Sequence, residues 1–128
     1  MAADRLGKTT VVNIRKFNLN KMGFKDLEDW LRDPNHVYIG RDMAHYVRGA
    51  TGSKWGNPFT AKMYDGREER VRMYKEYVKT NQEIRENGRT LYGSLEELRG
   101  KVLGCWCHPE RCHGHALVEL LEERIGKI

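Results

Sequence analysis

The chain has 128 residues, of which 39% are hydrophobic and 32% are charged. This length suits one domain with its own core, and the composition is that of a hydrophilic globular protein rather than a disordered chain. No apolar run approaches the roughly 18 residues that a membrane-spanning helix needs. The opening MAADR contains an early acid and starts no apolar signal segment. We therefore expect a single cytosolic domain over residues 1–128 that has no membrane partner.

The net charge is +5, and the whole excess lies in the first half of the chain. Residues 1–64 carry 11 lysines and arginines against 6 acidic residues, whereas residues 65–128 carry 12 of each. This bias favours an anionic partner, either a nucleic acid or a phosphorylated small molecule. A basic but merely solvated surface explains the bias equally well, because there is no dense run of lysine and arginine.

The first half of the chain predicts two strands, one helix and a long loop. Residues 8–15 are rich in β-branched side chains and predict a strand. Residues 24–32 place apolar side chains at helical spacing, and Pro34 ends that predicted helix. Residues 37–39 predict a second strand. The irregular stretch 41–64 then predicts a loop whose length is typical of functional loops.

The second half begins with the clearest helix of the sequence, predicted over residues 67–86. Its apolar side chains recur at helical spacing and form one stripe. The residues of that stripe are Val71, Tyr74, Val78 and Ile84, and Tyr77 broadens it. Asn87 and Gly88 follow as a stop signal.

Three further elements are predicted after this helix. Ser94 and Glu97 have the spacing of a capping box, which predicts a helix of one or two turns. Residues 101–106 predict a third strand, and residues 113–125 predict a final helix. Its inward side chains are Leu117, Leu120, Leu121 and Ile125. The alternation of strands and helices predicts an α/β domain in two or three layers around a mostly parallel sheet.

The most specific segment is GCWCHPERCHGH, residues 104–115. It leaves the carboxyl end of a predicted strand and enters the amino end of a predicted helix, which is where ligands bind in open α/β sheets. A helix amino end has free backbone N–H groups and partial positive charge, which suit an anion and lower the pKa of a nearby cysteine.

A zinc site is one interpretation of this segment. The ligand set would be Cys105, Cys107, Cys112 and His113, with His108 or His115 as substitutes. The ligand types suit zinc, but the Cys-x-Cys spacing is tighter than usual and makes tetrahedral closure demanding. The apolar periodicity is also sufficient for a core without metal. We therefore expect a fold that requires no cofactor, with zinc binding as the alternative.

Two other interpretations need no metal. In the structural one, Cys105 is a small buried side chain at a strand end, Cys112 caps the last helix, and Trp106 packs against the next layer. In the catalytic one, Cys107 and His113 lie at the rim of a pocket, where a thiol and an imidazole support nucleophilic or acid–base chemistry.

A second informative segment joins the strand ending in Gly40 and Arg41 to SKWGNPF, residues 53–59. Arg41 would stand at the carboxyl edge of the sheet, where its guanidinium suits a phosphate. Asn57, in a turn with Gly56, could read the edge of a base while Trp55 stacks on it. The alternative is that Trp55 and the following Phe59 simply anchor a long loop to the core.

With these motifs in view, the sequence resembles the domain-of-unknown-function family numbered 4326 over about residues 36–121. The motifs are VYIGR, SKWGNPF, GREERVRMYKEYV, ELRGKVLGCWCHP and CHGHAL. The family pattern carries over to Gly40, Arg41, Gly56, Asn57, Pro58, Arg67, Tyr74, Gly100, Lys101, Cys105, Trp106, Cys107, Pro109, Cys112 and His113. Many members have Asp at the position of His115. The layout is more distantly similar to small Rossmann-like domains that bind nucleotides, some of which cleave N-glycosidic bonds.

Together these observations predict a small single-domain Rossmann-like layered fold that binds a nucleotide or phosphorylated nucleoside derivative at the carboxyl edge of its sheet. The ligand-binding residues would be Gly40, Arg41, Trp55, Gly56, Asn57 and Trp106, and the catalytic residues Cys107 and His113. The alternative is a nucleic-acid-binding module that uses the basic first half. The sequence leaves open the oligomeric state and whether the protein is an enzyme. An N-glycosidic hydrolase would need a carboxylate, for which the candidates are Asp65, Glu68, Glu69 and Glu110.

Overall fold

The computed structural model describes residues 8–59, 66–108 and 110–125. The strands are β1 (Thr10–Asn13), β2 (His36–Tyr38) and β3 (Val102–Cys105). The helices are α1 (Lys16–Lys21), α2 (Leu27–Trp30), α3 (Arg67–Thr80) and α4 (His113–Ile125), and a 3₁₀ helix spans Tyr92–Leu98. In these ranges, no helix has both the length and the apolar character needed to cross a membrane.

The three strands form one parallel sheet in the order β1-β3-β2. Val102 at the start of β3 is in register with Thr10 of β1 on one side and His36 of β2 on the other. This confirms the prediction of a mixed α/β domain with a short parallel sheet. Because all three strands run in the same direction, the segments that follow them emerge at one edge, the carboxyl edge of the sheet.

Alternating side chains of β3 pack into two different buried clusters. Leu103 and Cys105 belong to a cluster formed with α3, α4 and the 3₁₀ helix. Val102 and Trp106 pack instead against a cluster that includes Trp30 of α2 and side chains around α1. This is the alternation expected of a strand covered on both faces.

The helices of the first half differ from the prediction. Residues 16–21 form α1, which the sequence pattern did not predict, because a single side chain of that helix, Leu19, is buried. The helix predicted over residues 24–32 is confined to α2, whose first turn is capped by the carboxylate of Asp26 accepting from the backbone N–H of Asp29 at 2.8 Å.

Helix α3 has the predicted start but ends six residues early. Val71, Tyr74 and Val78 are buried as the apolar stripe predicts, whereas Ile84 is 62% exposed, so its place in the stripe was wrong. The helix stops because the backbone of Asn81 is extended and its side-chain oxygen accepts from the N–H of Glu83 at 3.1 Å. That local turn replaces the next helical hydrogen bond.

The capping box predicted at Ser94 and Glu97 does not form. Ser94 is fully buried inside the 3₁₀ helix, and its hydroxyl donates to the carbonyl of Thr90 at 2.8 Å. Glu97 instead forms an ion pair with Lys54 at 2.7 Å. The short helix itself is present, but the two side chains that the pattern assigned to its cap bond to other groups.

The final helix has the predicted bounds. Leu117, Leu120 and Leu121 of α4 are buried in the cluster shared with α3, as expected. The side chain of Ile125, predicted to face inward, and Pro109 and Asp65 lie outside the described residues. Helix α4 therefore lies across the same face of the sheet as α3, with its amino end at the carboxyl edge.

Candidate functional site

A cavity of about 700 Å³, which we call the cleft, opens where the three strands end. Six of the eight residues predicted as catalytic or ligand-binding line it. They are Gly40, Arg41, Asn57, Trp106, Cys107 and His113. The fold thus brings together segments that lie up to 73 positions apart in the chain. Their placement is a structural fact, while their roles stay predictions.

Trp55 and Gly56 do not belong to the described lining of the cleft. Trp55 is only 3% exposed, and its backbone carbonyl accepts a hydrogen bond from the hydroxyl of Tyr74 at 2.7 Å. A side chain this buried cannot stack on a ligand, so Trp55 anchors the loop to the core. Gly56 packs against the end of β2, where an added Cβ would meet the carbonyl oxygen of Gly40 at 3.5 Å.

Positive charge dominates the cleft. Its cationic lining residues are Arg15, Lys16, Arg41, Arg67, Arg70 and Arg111. No aspartate or glutamate is among the described lining residues. Of the six cations, the site prediction had included only Arg41. The other five enter the cleft because α1, α3 and the segment before α4 meet there, which no local pattern in the sequence reveals.

Three of the cationic lining residues, Arg15, Lys16 and Arg41, follow the ends of β1 and β2, and we call them the strand wall. Among the described residues, none of the three forms an ion pair with a carboxylate. Arg15 donates from Nε to the carbonyl of Trp106 at 3.2 Å. All three side chains are exposed, so their charge is available to a ligand.

Two others, Arg67 at the start of α3 and Arg111 just before α4, we call the helix wall. Arg67 pairs with Glu110 at 3.1 Å. Arg111 donates to both carboxylate oxygens of Glu119, at 2.6 and 3.1 Å, and lies 3.3 Å from Glu68. These carboxylates neutralise the helix wall and hold its two guanidinium groups in place.

Three of the four candidate catalytic carboxylates are therefore engaged in ion pairs, and the fourth, Asp65, lies outside the described residues. Glu68 and Glu110 pair with the two arginines of the helix wall, and Glu69 pairs with Arg72 at 3.7 Å. None of the three lines the cleft. Among the described residues, nothing places a carboxylate where glycosidic-bond cleavage would use one.

Tyr38 fixes the geometry at the end of β2. Its hydroxyl donates to the backbone carbonyl of Arg41 and accepts from Nε1 of Trp106 at 3.0 Å. A Cβ at Gly40 would lie 2.6 Å from Cζ of Tyr38, so only glycine lets the ring pack there. Sequence analysis identified the glycine, the arginine and the tryptophan as site residues but missed the tyrosine that holds them together.

His113, the first residue of α4, is held neutral at the floor of the cleft. Its Nε2 lies 2.6 Å from the carbonyl oxygen of Ile39. Because a carbonyl only accepts, Nε2 carries the proton and Nδ1 is the basic nitrogen. Burial lowers the pKa of His113 below its usual value, and the nearby charge of Arg41 lowers it further. A neutral imidazole with one free basic nitrogen suits proton transfer.

The cysteines divide into an exposed one and a buried pair. Cys107 is exposed, whereas Cys105 and Cys112 are buried with their sulfurs 3.2 Å apart. A hydrogen bond from the thiol of Cys112 lowers the pKa of Cys105 to about 6, although burial opposes this shift. The same contact raises the pKa of Cys112. Of the two buried thiols, Cys105 is therefore the one with more thiolate character.

The candidate zinc ligands do not converge on one point. In the described part of the chain, no three His, Cys, Asp or Glu side chains are placed to hold a metal ion. Cys107 is exposed whereas Cys105 and Cys112 are buried, and Nε2 of His113 is engaged by Ile39. His108 and His115 bond to each other at 3.2 Å.

Comparisons with known proteins agree with the resemblance but give no activity. The model of a domain of unknown function, DUF4326, matches residues 23–123. An uncharacterized protein, R718, of Acanthamoeba polyphaga mimivirus is 34% identical over 92 residues, 66% of this chain and 65% of that protein. An uncharacterized 12.4 kDa protein in the nrdA-td intergenic region of Enterobacteria phage T4 is 31% identical over 71 residues, 55% of this chain and 61% of its own length. The chain thus spans somewhat less than two thirds of these curated relatives. No solved structure matches.

Proposed function

We propose that this chain, which belongs to the family DUF4326, binds a nucleotide or phosphorylated nucleoside derivative in the cleft of a Rossmann-like layered domain. One observation carries the proposal: six cationic side chains line one cavity, and no described carboxylate does. Low-dielectric walls concentrate such a field, which attracts a compact polyanion and holds its phosphates by charge-assisted hydrogen bonds.

The dimensions and the apolar lining of the cleft favour a small ligand. A volume of about 700 Å³ lies in the range of roughly 300–1,000 Å³ that is typical of small-molecule sites. Trp106 and Phe59 supply aromatic surface for a base or sugar. The side-chain oxygen of Asn57 accepts a hydrogen bond from the N–H of Phe59 at 2.8 Å. The side-chain amide nitrogen of Asn57 is therefore the group that can donate to a ligand.

If the bound nucleotide is also processed, His113 is the residue placed to move a proton. Its Nδ1 is unprotonated while Nε2 donates to Ile39, so the imidazole is oriented as a base before any ligand arrives. The exposed thiol of Cys107 stands at the rim of the same cleft. Hydrolysis of an N-glycosidic bond would then need a carboxylate from outside the described residues or from the ligand itself.

The direct test is a thermal-shift and calorimetry series with one base carried as nucleoside, monophosphate, diphosphate and triphosphate. We expect no shift with the nucleoside and a shift that grows with phosphate number, because each added phosphate meets another cation. Raising the salt concentration should weaken binding only modestly, since a pocket makes few phosphate contacts. No shift with any member of the series, measured with several bases, would contradict the proposal.

A second candidate ligand is single-stranded nucleic acid, which two exposed aromatic side chains favour. Phe17 is 72% exposed and Tyr46 is 80% exposed. Each adjoins a residue that lines the cleft, Lys16 and Val47 respectively. Aromatic platforms beside a cationic groove are typical of single-strand binding. Oligonucleotide binding that falls steeply with salt and is weakened by Phe17→Ala and Tyr46→Ala would favour this candidate over the nucleotide.

A further inference from the structure

Beneath the cleft lies a thiol pair, Cys105 and Cys112, that ligand binding does not require. The two sulfurs are 3.2 Å apart, both side chains are at most 5% exposed, and both line the cleft. Cys105 is the last residue of β3 and Cys112 directly precedes α4. A short connection therefore returns the chain so that the two thiols meet.

Backbone N–H groups also favour the thiolate form of both cysteines. Those of Cys107 and His108 lower the pKa of Cys105. Those of Gly114 and His115, in the first turn of α4, act in the same direction on Cys112, although the contact with Cys105 and burial raise its pKa overall. Amides near a sulfur stabilise a thiolate without any metal.

The geometry is close to that of a disulfide. An S–S bond is about 2.05 Å long, so the sulfurs need to approach by roughly 1 Å. Each cysteine stands at the boundary between a regular element and the loop that joins them. Cys107, which is exposed, lies between them in the chain and offers an internal comparison.

We propose that the thiol pair is a redox-active dithiol, which a small hydroperoxide entering through the cleft converts into an intramolecular Cys105–Cys112 disulfide. The sulfur of Cys105 attacks one peroxide oxygen, the O–O bond breaks, and an alcohol or water leaves with the proton. The sulfur of Cys112 then attacks the sulfenic acid on Cys105, the S–O bond breaks, and water leaves. The two thiols lose two electrons and two protons, and the hydroperoxide is reduced to an alcohol and water.

This proposal does not rest on the nucleotide. It needs the paired sulfurs, the amides around them and an opening for a small neutral oxidant. The cationic side chains of the cleft favour the step independently, because they stabilise the alkoxide that develops on the departing oxygen. A phosphorylated ligand would cover the thiol pair and slow the oxidation. The rate of thiol oxidation therefore reports whether the cleft is occupied.

The first experiment exposes the full chain to hydrogen peroxide and counts its thiols by alkylation and mass spectrometry. We expect the three free thiols to fall to one in the wild type. Cys107→Ser, the matched control, should lose both of its thiols at the wild-type rate. Peptide mapping should find the crosslink between Cys105 and Cys112 within one chain. A crosslink that involves Cys107 or joins two chains, or a pair that stays reduced while Cys107 is oxidised, would overturn the proposal.

The second experiment probes the pair with phenylarsine oxide, which bridges two neighbouring thiols. Wild type and Cys107→Ser should each bind one arsenic per chain. In Cys112→Ser, peroxide should leave a sulfenic acid on Cys105 that dimedone traps, with no disulfide formed. Circular dichroism checks that this variant folds. If it does not, the comparison of wild type with Cys107→Ser decides, because neither protein alters the buried pair.

Discussion

Both walls of the cleft carry cationic side chains, but carboxylates pair with those of the helix wall and not, among the described residues, with those of the strand wall. The helix wall holds Arg67 and Arg111 against three carboxylates at 2.6 to 3.3 Å. The strand wall holds Arg15, Lys16 and Arg41 without a described carboxylate partner. A lining residue is therefore not the same as a binding residue. An arginine that already pairs with a carboxylate contributes mainly to the structure of the cleft. A cationic side chain without such a partner is available to bind an anion.

The difference has an energetic basis. Exposed ion pairs contribute at most about 1 kcal/mol, but a ligand phosphate that competes for the same guanidinium must first displace the carboxylate. On the strand wall there is nothing to displace, so the full strength of a charge-assisted hydrogen bond, about 1.5–3 kcal/mol, contributes to affinity. The strand wall should therefore carry most of the binding energy.

The largest effect should come from Arg41→Gln. Removing this charge should weaken nucleotide binding by on the order of 10-fold or more, measured by calorimetry, because one charge-assisted hydrogen bond is lost. Folding should be unaffected, since Tyr38 bonds to the backbone carbonyl of Arg41 and not to its side chain. Arg48→Gln on the same loop, whose side chain is 83% exposed and pairs with Glu28, is the matched control. Equal losses in both variants would mean that Arg41 makes no specific contact with the ligand.

The next largest effect should come from Gly40→Ala. The added methyl group would overlap the ring of Tyr38, and overpacking of this kind costs about 1–3 kcal/mol of folding stability. Moving the ring should also displace Trp106 and the backbone of Arg41, so nucleotide affinity should fall together with the melting temperature. Gly66→Ala, where the nearest contact is an ordinary 3.7 Å, is the control. Unchanged affinity in Gly40→Ala would mean that Tyr38 does not position the strand wall.

A smaller effect should follow from acidification. Burial lowers the pKa of both His113 and His115 in the folded protein. As pH falls through about 6.5, the unfolded chain takes up protons that the folded chain resists, so the free energy of unfolding decreases. Melting curves from about pH 7.5 to about pH 5.5 measure this decrease. His113→Gln should reduce the slope, and an unchanged slope in this variant would contradict the assignment.

The smallest effect should be that of Arg111→Gln on the helix wall. We expect a loss of about 0.2–1 kcal/mol in folding stability, because Glu119 keeps Lys75 as a partner at 3.4 Å. Nucleotide affinity should change much less than in Arg41→Gln. A larger affinity loss here than in Arg41→Gln would reverse the roles that we assign to the two walls.

The topology explains why most of the predicted residues lie at one edge of the sheet. Once β2 and β3 are predicted as parallel strands, Gly40, Arg41, Trp106 and Cys107 must emerge at the same edge, and His113 must begin the helix beside them. Asn57 reached the cleft through a loop whose path the sequence did not predict. It was singled out because an amide in a Gly-Asn-Pro turn can read the edge of a base, and because it stands in the SKWGNPF motif.

The remainder depended on contacts between distant segments. Arg15 and Lys16 entered the cleft through a helix with one buried side chain, too weak a pattern to predict. The low pKa of Cys105 comes from Cys112 and from backbone amides, so only the folded geometry reveals it. Trp55 had the residue type of a stacking platform, and burial in the core determined its role instead.

The sheet order has a consequence for how the protein is made. The central strand β3 is the last of the three along the chain, and its partner β1 lies 92 positions earlier. On the ribosome, β1 and β2 emerge with no strand between them to pair with. At about 5–20 residues per second, more than sixty residues must be added after β2, a wait on the order of 3–13 seconds. The two edge strands therefore stay open to unwanted partners during this interval, and the cleft is completed only when translation has passed β3 and α4.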